Sequence, residues 1–350
     1  MRFLIYILLP LQMIYSLIII IRNKCYDYNI LNQYQAPCHI ISIGNLKTGG
    51  TGKTPLVEYL IDFFKTEKIA ILSRGYKRKT SGFRLANNET NNASDIGDEN
   101  CQLYNKFNNI LIGCDRNRVN GVRKLLMIDN KIKIIILDDG YQHRSLKRDL
   151  NILLTEYNNL FTNDSLIPIG NLREHKTQKK RADIIIVTKC PKNIPKEEKT
   201  EIQKKILLSK NQKLYFSYIK NYVFINMTTL KKHTISKDKE YILVTGIENT
   251  QQLTEFLSEE KIKFSHFLFK DHHSFQENDL EKMIQLYQTR KMGKELLLTE
   301  KDFFRLSNQQ KKQLKKHFIL ICVQINVDFI NPDKSNFNNQ LFKFGKTKIT

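Results

Sequence analysis

From residue 40 to about residue 189 short apolar runs alternate with longer polar or amphipathic stretches. The runs cover 40–43, 68–72, 110–112, 133–137, 151–154 and 183–187, and Ile, Leu and Val predominate in each. Strands apolar on both sides, separated by helix-length segments, predict a mostly parallel sheet with helices on both faces. An Asn-rich stretch at 86–94 predicts an exposed loop, and Pro191 and Pro195 close the unit. Beyond a charged helical segment, 214–219 and 222–227 predict two strands around a turn, and a second αβ set follows with strands near 241–244, 264–269, 295–298 and 318–324. The implied organisation is an N-terminal helix over 1–30, a first α/β domain over 31–212, a two-stranded connector over 213–235 and a smaller α/β domain over 236–350.

The segment 3–21 breaks this rhythm, being almost wholly apolar between Arg2 and the pair Arg22 and Lys24. A run of about 19 residues just spans a bilayer. Pro10 and Gln12 interrupt it, which leaves open a helix lying in the interface or a tilted span; a buried core helix is the competing expectation. No small-residue cleavage site of a signal peptide follows.

The run 40–43 leads into Gly44-Asn45-Leu46-Lys47-Thr48-Gly49-Gly50-Thr51-Gly52-Lys53-Thr54, and helix-compatible Pro55-Leu56-Val57-Glu58 comes next. Strand, glycine loop and helix make a phosphate cradle: backbone N–H groups turn inward, the helix N-terminus is positive, and Lys53 and Thr54 can reach terminal phosphates and Mg²⁺. Gly49, Gly50, Thr51 and Gly52 supply the loop itself, while Lys47 stands where the standard G-x-x-x-x-G-K-[ST] pattern has glycine.

Charge and cysteine use narrow the picture. The net charge of +22 suits an anionic membrane face, phosphorylated substrates or nucleic acid, but the Lys excess is spread along the whole chain. No zinc-finger spacing or RNA-binding sheet signature accompanies it, so nucleic-acid binding is not expected. The six cysteines contain no C-x-x-C pair, which argues against a disulfide framework or zinc site and for a reducing compartment.

Candidate chemistry lies at the strand ends. The run 133–137 ends at Asp138-Asp139-Gly140, and carboxylates at that edge of a parallel strand sit beside the nucleotide loop; Asp138 is placed to hold Mg²⁺ with Thr54, and Asp139 is the second candidate. Tyr141-Gln142-His143-Arg144 follows, polar and bulky. Ser73-Arg74-Gly75-Tyr76, the pair Arg116 and Arg118, and Leu172-Arg173-Glu174 follow other strands or turns, where arginines would serve an anionic substrate. Gly97-Asp98-Glu99 reads locally as a helix N-cap, and Asp271-His272-His273 offers a proton acceptor or a ligand.

With these motifs in this order the chain resembles the tetraacyldisaccharide 4'-kinase family, the lipid A 4'-kinases, whose phosphate loop also lacks the first glycine. The resemblance rests on the variant loop, Ser73-Arg74-Gly75-Tyr76, Gly97-Asp98-Glu99, Asp138-Asp139-Gly140-Tyr141-Gln142-His143, Leu172-Arg173-Glu174, Thr245-Gly246-Ile247, Asp271-His272 and Thr299-Glu300-Lys301-Asp302. It implies ATP as phosphate donor, Mg²⁺, a lipid disaccharide monophosphate as acceptor, and a place at the cytoplasmic face of the inner membrane with no obligate protein partner. It further implies Lys53 and Thr54 on the phosphates and metal, Asp138 as the metal carboxylate, and Asp98 paired with His272 as the base, with Lys53 and Asp139 in the catalytic set. Ser73, Arg74, Tyr76, Glu99, Arg118, Gln142, Arg173 and Glu174 would bind substrate.

Two other classes are weighed on the same residues. A regulatory ATPase of the deviant-Walker type carries a lysine immediately before its Gly-Gly pair, where this chain has Thr48. A GTPase is suggested by Val187-Thr188-Lys189, but Pro191 stands where the guanine-reading Asp belongs.

Overall fold

The computed structural model describes residues 2–89, 92–107, 109–271, 273–290 and 294–346. Its strands are β1 (His39–Asn45), β2 (Ile69–Ser73), β3 (Arg84–Leu85), β4 (Leu111–Cys114), β5 (Ile134–Asp138), β6 (Leu150–Glu156) and β7 (Ile184–Thr188), then β8 (Lys213–Asn226), β9 (Lys231–Lys232), β10 (Glu240–Thr245), β11 (Lys263–Leu268), β12 (Glu295–Thr299) and β13 (Ile319–Phe329). The helices are α1 (Arg2–Asp27), α2 (Lys53–Phe63), α3 (Ala93–Ile96), α4 (Asp98–Lys106), α5 (Arg118–Ile128) and α6 (Lys196–Ile206), then α7 (Gln251–Glu259), α8 (Glu277–Arg290), α9 (Glu300–Arg305), α10 (Asn308–Lys315) and α11 (Asp333–Gly345).

The strands join one sheet in the order β11-β10-β12-β13-β8-β7-β6-β1-β5-β2-β4-β3, with β9 on β8. Strands β7, β6, β1, β5, β2 and β4 are parallel, as are β13, β12, β10 and β11. Every residue of β1, β2, β5 and β7 is buried, because helices cover both faces. Alternation along the strand sorts the side chains: Ile41 and Ile43 pack with Leu56, Val57 and Leu60 of α2, while Ile40 joins Val122 and Leu125 of α5 on the other face. Each such side chain contributes roughly 1.5–3 kcal/mol through burial.

The expected turn between 219 and 222 does not form. Strand β8 runs unbroken, parallel to β7 over its first residues and antiparallel to β13 thereafter. The polar pair Lys220-Asn221 that suggested a turn sits at an irregularity of the β8–β13 ladder: Asn221 faces Asn326 and Ile219 faces Val327, so Lys220 is the extra residue of a bulge. Strand β8 thereby ties both αβ sets into one sheet. The Asn-rich stretch also ends sooner than expected, since Asn92 caps α3 by accepting the Asp95 N–H at 2.9 Å.

Helix α1 is amphipathic in an inverted sense. Leu9, Met13, Leu17, Ile20 and Ile21 are exposed, whereas Tyr15, Arg22 and Asn23 face the rest of the chain. The segment Leu8–Asp27 is long and apolar enough to cross a membrane, with mean hydropathy 1.3.

Candidate active site

Strand β1 lies between β5 and β6, so the glycine loop leaves the sheet at a switch in strand order, where the carboxyl ends of neighbouring strands open a crevice. Gly49 (φ 110°) and Gly52 (φ 81°) occupy left-handed backbone that L side chains rarely adopt, and Gly52 precedes α2 directly. Lys47 is no defect of the loop. Its buried ammonium pairs with Asp164 at 2.7 Å, and its backbone bridges to Leu172. Thr188 Oγ1 donates to Thr51 O at 3.0 Å and Lys189 Nζ donates to Gly50 O at 2.8 Å, so the residues that suggested guanine recognition brace the loop instead. The Gly50 N–H donates to the Glu248 carboxylate, which reaches over from the loop after β10.

Lys53 Nζ lies 3.5 Å from Asn45 Oδ1 and 3.5 Å from Asp139 Oδ1. Asp139, in a left-handed conformation just after β5, also binds Arg173 Nη1 at 2.9 Å. Burial alone would raise its pKa, but Lys53, Arg173 and Arg118 outweigh that and hold the carboxyl well below the usual range. Asp138 is the opposite case. It is 1% exposed, and both its oxygens, like the Thr54 hydroxyl, are buried without a hydrogen-bond partner among the described residues. Burial first, then the charges of Glu99 and Asp139, raises its pKa to about 7. A buried carboxylate without partners is expensive unless something cationic completes it. Thr54 and Asp138 therefore fit a divalent cation held by few protein oxygens, the arrangement Mg²⁺ favours beside phosphates.

A second polar layer packs α9 against α4. Asp98 pairs with Arg305 at 2.8 Å, Glu99 with Lys301 at 2.7 Å, and Arg305 also reaches Asp302 at 3.0 Å and Gly246 O at 2.5 Å. Beneath it Gln102 Nε2 bonds Glu58 at 2.8 Å and Glu300 at 3.1 Å, with Lys106 between the same two carboxylates. Asp98 and Glu99 are thus engaged by cations from the second αβ set, and the charge of Glu99 acts on Asp138. His272 lies outside the described residues.

Arg118, 1% exposed, approaches Asp138 O at 3.5 Å, while Arg116 is exposed; this separates the two arginines that spacing left equivalent. Gln142 Nε2 donates to Asn45 O at 2.9 Å and its Oε1 accepts from Arg173 at 3.4 Å. Glu174 is buried against Arg181 and Asn23. Ser73 is buried and accepts the Gly75 N–H at 3.0 Å, whereas Arg74 and Tyr76 are exposed above the β2 edge. His143 is driven down to about 3 by burial and by Arg118, which keeps it neutral. Beside the loop a cavity of about 740 Å³ is lined by Glu156, Tyr157, Lys189, Pro191, Gln252 and Phe256, among others.

The sequence matches the family described as Tetraacyldisaccharide-1-P 4'-kinase over residues 4–345. This chain belongs to that family. Among similar proteins, the tetraacyldisaccharide 4'-kinase of Flavobacterium johnsoniae is 39% identical over 98% of both chains. That of Flavobacterium psychrophilum is 40% identical over 100% of this chain and 97% of its own, and that of Bacteroides fragilis 37% over 96% and 92%. The crystal structure of "apo" form LpxK from Aquifex aeolicus in complex with ATP superposes with a TM-score of 0.75 at 27% identity, covering 97% of this chain and 99% of that one. The family match spans both αβ sets and the N-terminal helix, and nothing in it favours a deviant-Walker regulatory ATPase.

Within this 4'-kinase family member, sequence reasoning left Asn45, Glu248, Lys301, Arg305, Arg22 and Asn23 without a role at the site. Lys301 and Arg305 stand four residues apart on one face of α9, a visible signal of a paired face, but nothing local names the carboxylates about 200 residues away that they meet.

Proposed function

We propose that the chain transfers the γ-phosphate of ATP to the 4'-hydroxyl of a tetraacylated glucosamine disaccharide 1-phosphate, giving lipid IVA. The observation that carries this is the unpartnered Thr54 hydroxyl and Asp138 carboxylate buried at the head of a phosphate cradle, in a chain matching the 4'-kinase family from end to end. The acceptor oxygen bonds to the γ-phosphorus, the bond to the β–γ bridging oxygen breaks, and ADP departs. Asp98 accepts the hydroxyl proton, with His272 as its partner in that role. Lys53 offsets charge on the transferring group, and Asp139, kept ionised by Lys53 and Arg173, orients that lysine. Thr54 and Asp138 would hold Mg²⁺, which supplies charge neutralisation at the phosphates.

Arg118, Arg173, Gln142, Arg74, Tyr76, Ser73, Glu99 and Glu174 belong to the acceptor side, and the cavity beside Lys189 has room for the nucleoside end of ATP. The outward apolar face of α1 supports seating in a membrane, and the need for ATP supports its cytoplasmic face. The test is phosphate transfer from γ-labelled ATP to the lipid disaccharide monophosphate in detergent with Mg²⁺. Wild type yields the 4'-phosphorylated product and Asp98→Asn loses most turnover. ATP hydrolysis that is independent of lipid, with no phosphate on the sugar, overturns the proposal.

A further inference from the structure

The apolar face of α1 explains an anchor, but its inner face carries something an anchor does not need. Three polar side chains on one stripe, Tyr15, Arg22 and Asn23, each bond a residue of the two segments that converge on Lys53. Tyr15 OH donates to Arg173 O at 2.7 Å, Asn23 Nδ2 to Glu174 Oε1 at 3.0 Å, and Arg22 Nη2 to Gln142 O at 2.9 Å. Asn23 is 2% exposed and Glu174 1%, so their bond is made out of water, where a lost partner costs most. Arg144 returns the contact from the other side, donating to Asn23 O at 2.8 Å and to Asp27 at 2.7 Å.

The bonded segments lead straight to the loop. Arg173 binds Asp139, Asp139 faces Lys53, Gln142 binds Asn45 O, and the Asn45 side chain faces Lys53. Two routes of two side chains each therefore connect the membrane-facing helix to the lysine of the phosphate cradle. Most of their hydrogen bonds are shorter than 3.1 Å, and the closing contacts to Lys53 are 3.5 Å.

We propose that Tyr15, Arg22 and Asn23 are positioning residues for phosphoryl transfer, so that α1 sets the geometry of Lys53 and Asp139 as well as the seating of the chain on lipid. The inference rests on the kinase reading above. Removing these bonds lets the 142 and 173 segments drift, and a displacement of about 1 Å at a reacting centre lowers turnover on the order of 100-fold. Ground-state binding of ATP is then little changed, because no contact to the nucleotide is removed.

The experiment compares two sets of variants in the full chain, with saturating ATP and with lipid substrate in detergent micelles or in phosphatidylethanolamine–phosphatidylglycerol vesicles. Inner-face variants are Tyr15→Phe, Arg22→Gln and Asn23→Leu; outer-face variants are Leu17→Ser and Ile21→Ser. Inner-face variants are expected to lower kcat about 10- to 100-fold, with KM for ATP and vesicle association within about twofold of wild type. Outer-face variants are expected to lose vesicle association and raise the apparent KM for lipid while keeping kcat in micelles. Should Asn23→Leu fail to fold, as its thermal midpoint will report, Tyr15→Phe, which removes one oxygen, decides. Wild-type kcat in the inner-face variants, or a change confined to lipid KM and vesicle association, overturns the inference and leaves α1 an anchor. A wild type that transfers no phosphate to lipid overturns the kinase reading itself, which separates the two failures.

Discussion

Two buried polar layers lie side by side in this molecule, and they are built on opposite rules. Between α4 and α9 the carboxylates of Asp98, Glu99, Glu58 and Glu300 meet Arg305, Lys301, Lys106 and Gln102 across the junction of the two αβ sets. At the glycine loop the Asp138 carboxylate and the Thr54 hydroxyl have no hydrogen-bond partner among the described residues. Buried polar groups are normally partnered, so the matched layer fixes its own side chains, Asp98 and Glu99 among them, and the unmatched one reads as a place for something the chain itself does not supply. Burial alone does not separate the two; satisfaction does.

The largest expected contrast comes from Asp138→Asn. Turnover falls about 1,000-fold, while the thermal midpoint holds or rises, since a buried carboxylate without partners is replaced by a neutral group of the same shape. Steady-state transfer assays and calorimetry on one preparation measure both; a large drop in midpoint would place Asp138 among structural groups. Arg305→Ala should lower stability, and turnover as well through its partner Asp98. It removes the cation that faces Asp98 and Asp302 in a buried layer and costs about 3 kcal/mol in urea unfolding, and a loss under 1 kcal/mol would show the layer to be solvated.

A smaller effect separates the layers by pH. Burial and the neighbouring Glu58 raise Glu300 from 4.5 to about 8. The folded chain then keeps a proton that the unfolded chain releases, so this stabilisation is full below about pH 4.5 and is lost as pH rises through about 8. Unfolding free energy should fall across that window, and Glu300→Gln should flatten the slope. An unchanged slope in the variant would assign it to other groups. The smallest effect concerns Glu248, whose carboxylate takes the Gly50 N–H. An anion there competes with a phosphate oxygen, so Glu248→Gln should tighten equilibrium binding of ATP about threefold. Weaker binding in that variant would make Glu248 a contact of the nucleotide.

Much of the first layer was legible along the chain, because a strand, a glycine loop and a helix N-terminus are contiguous and the Asp138-Asp139 pair ends its own apolar run. The second layer was not. Asp98 and Glu99 read as an ordinary helix start, and their partners Arg305 and Lys301 come from a helix about 200 residues later. The bulge at Lys220 misled in the same way, since a polar pair inside an apolar run looks like a turn until the opposite strand is known.

By itself the sequence determined the alternating α/β architecture, the phosphate cradle and an apolar N-terminal helix, all features whose physics is local: periodicity, glycine conformations, and runs long enough to seek lipid. Tertiary structure decided which of two adjacent aspartates is paired and which is left open, that Lys47 is anchored by Asp164, and that the inner face of α1 is bonded to the segments around Lys53. Those outcomes depend on hydrogen-bond partners and dielectric brought together across 34 to 158 residues of chain, and no pattern of neighbouring residues encodes them.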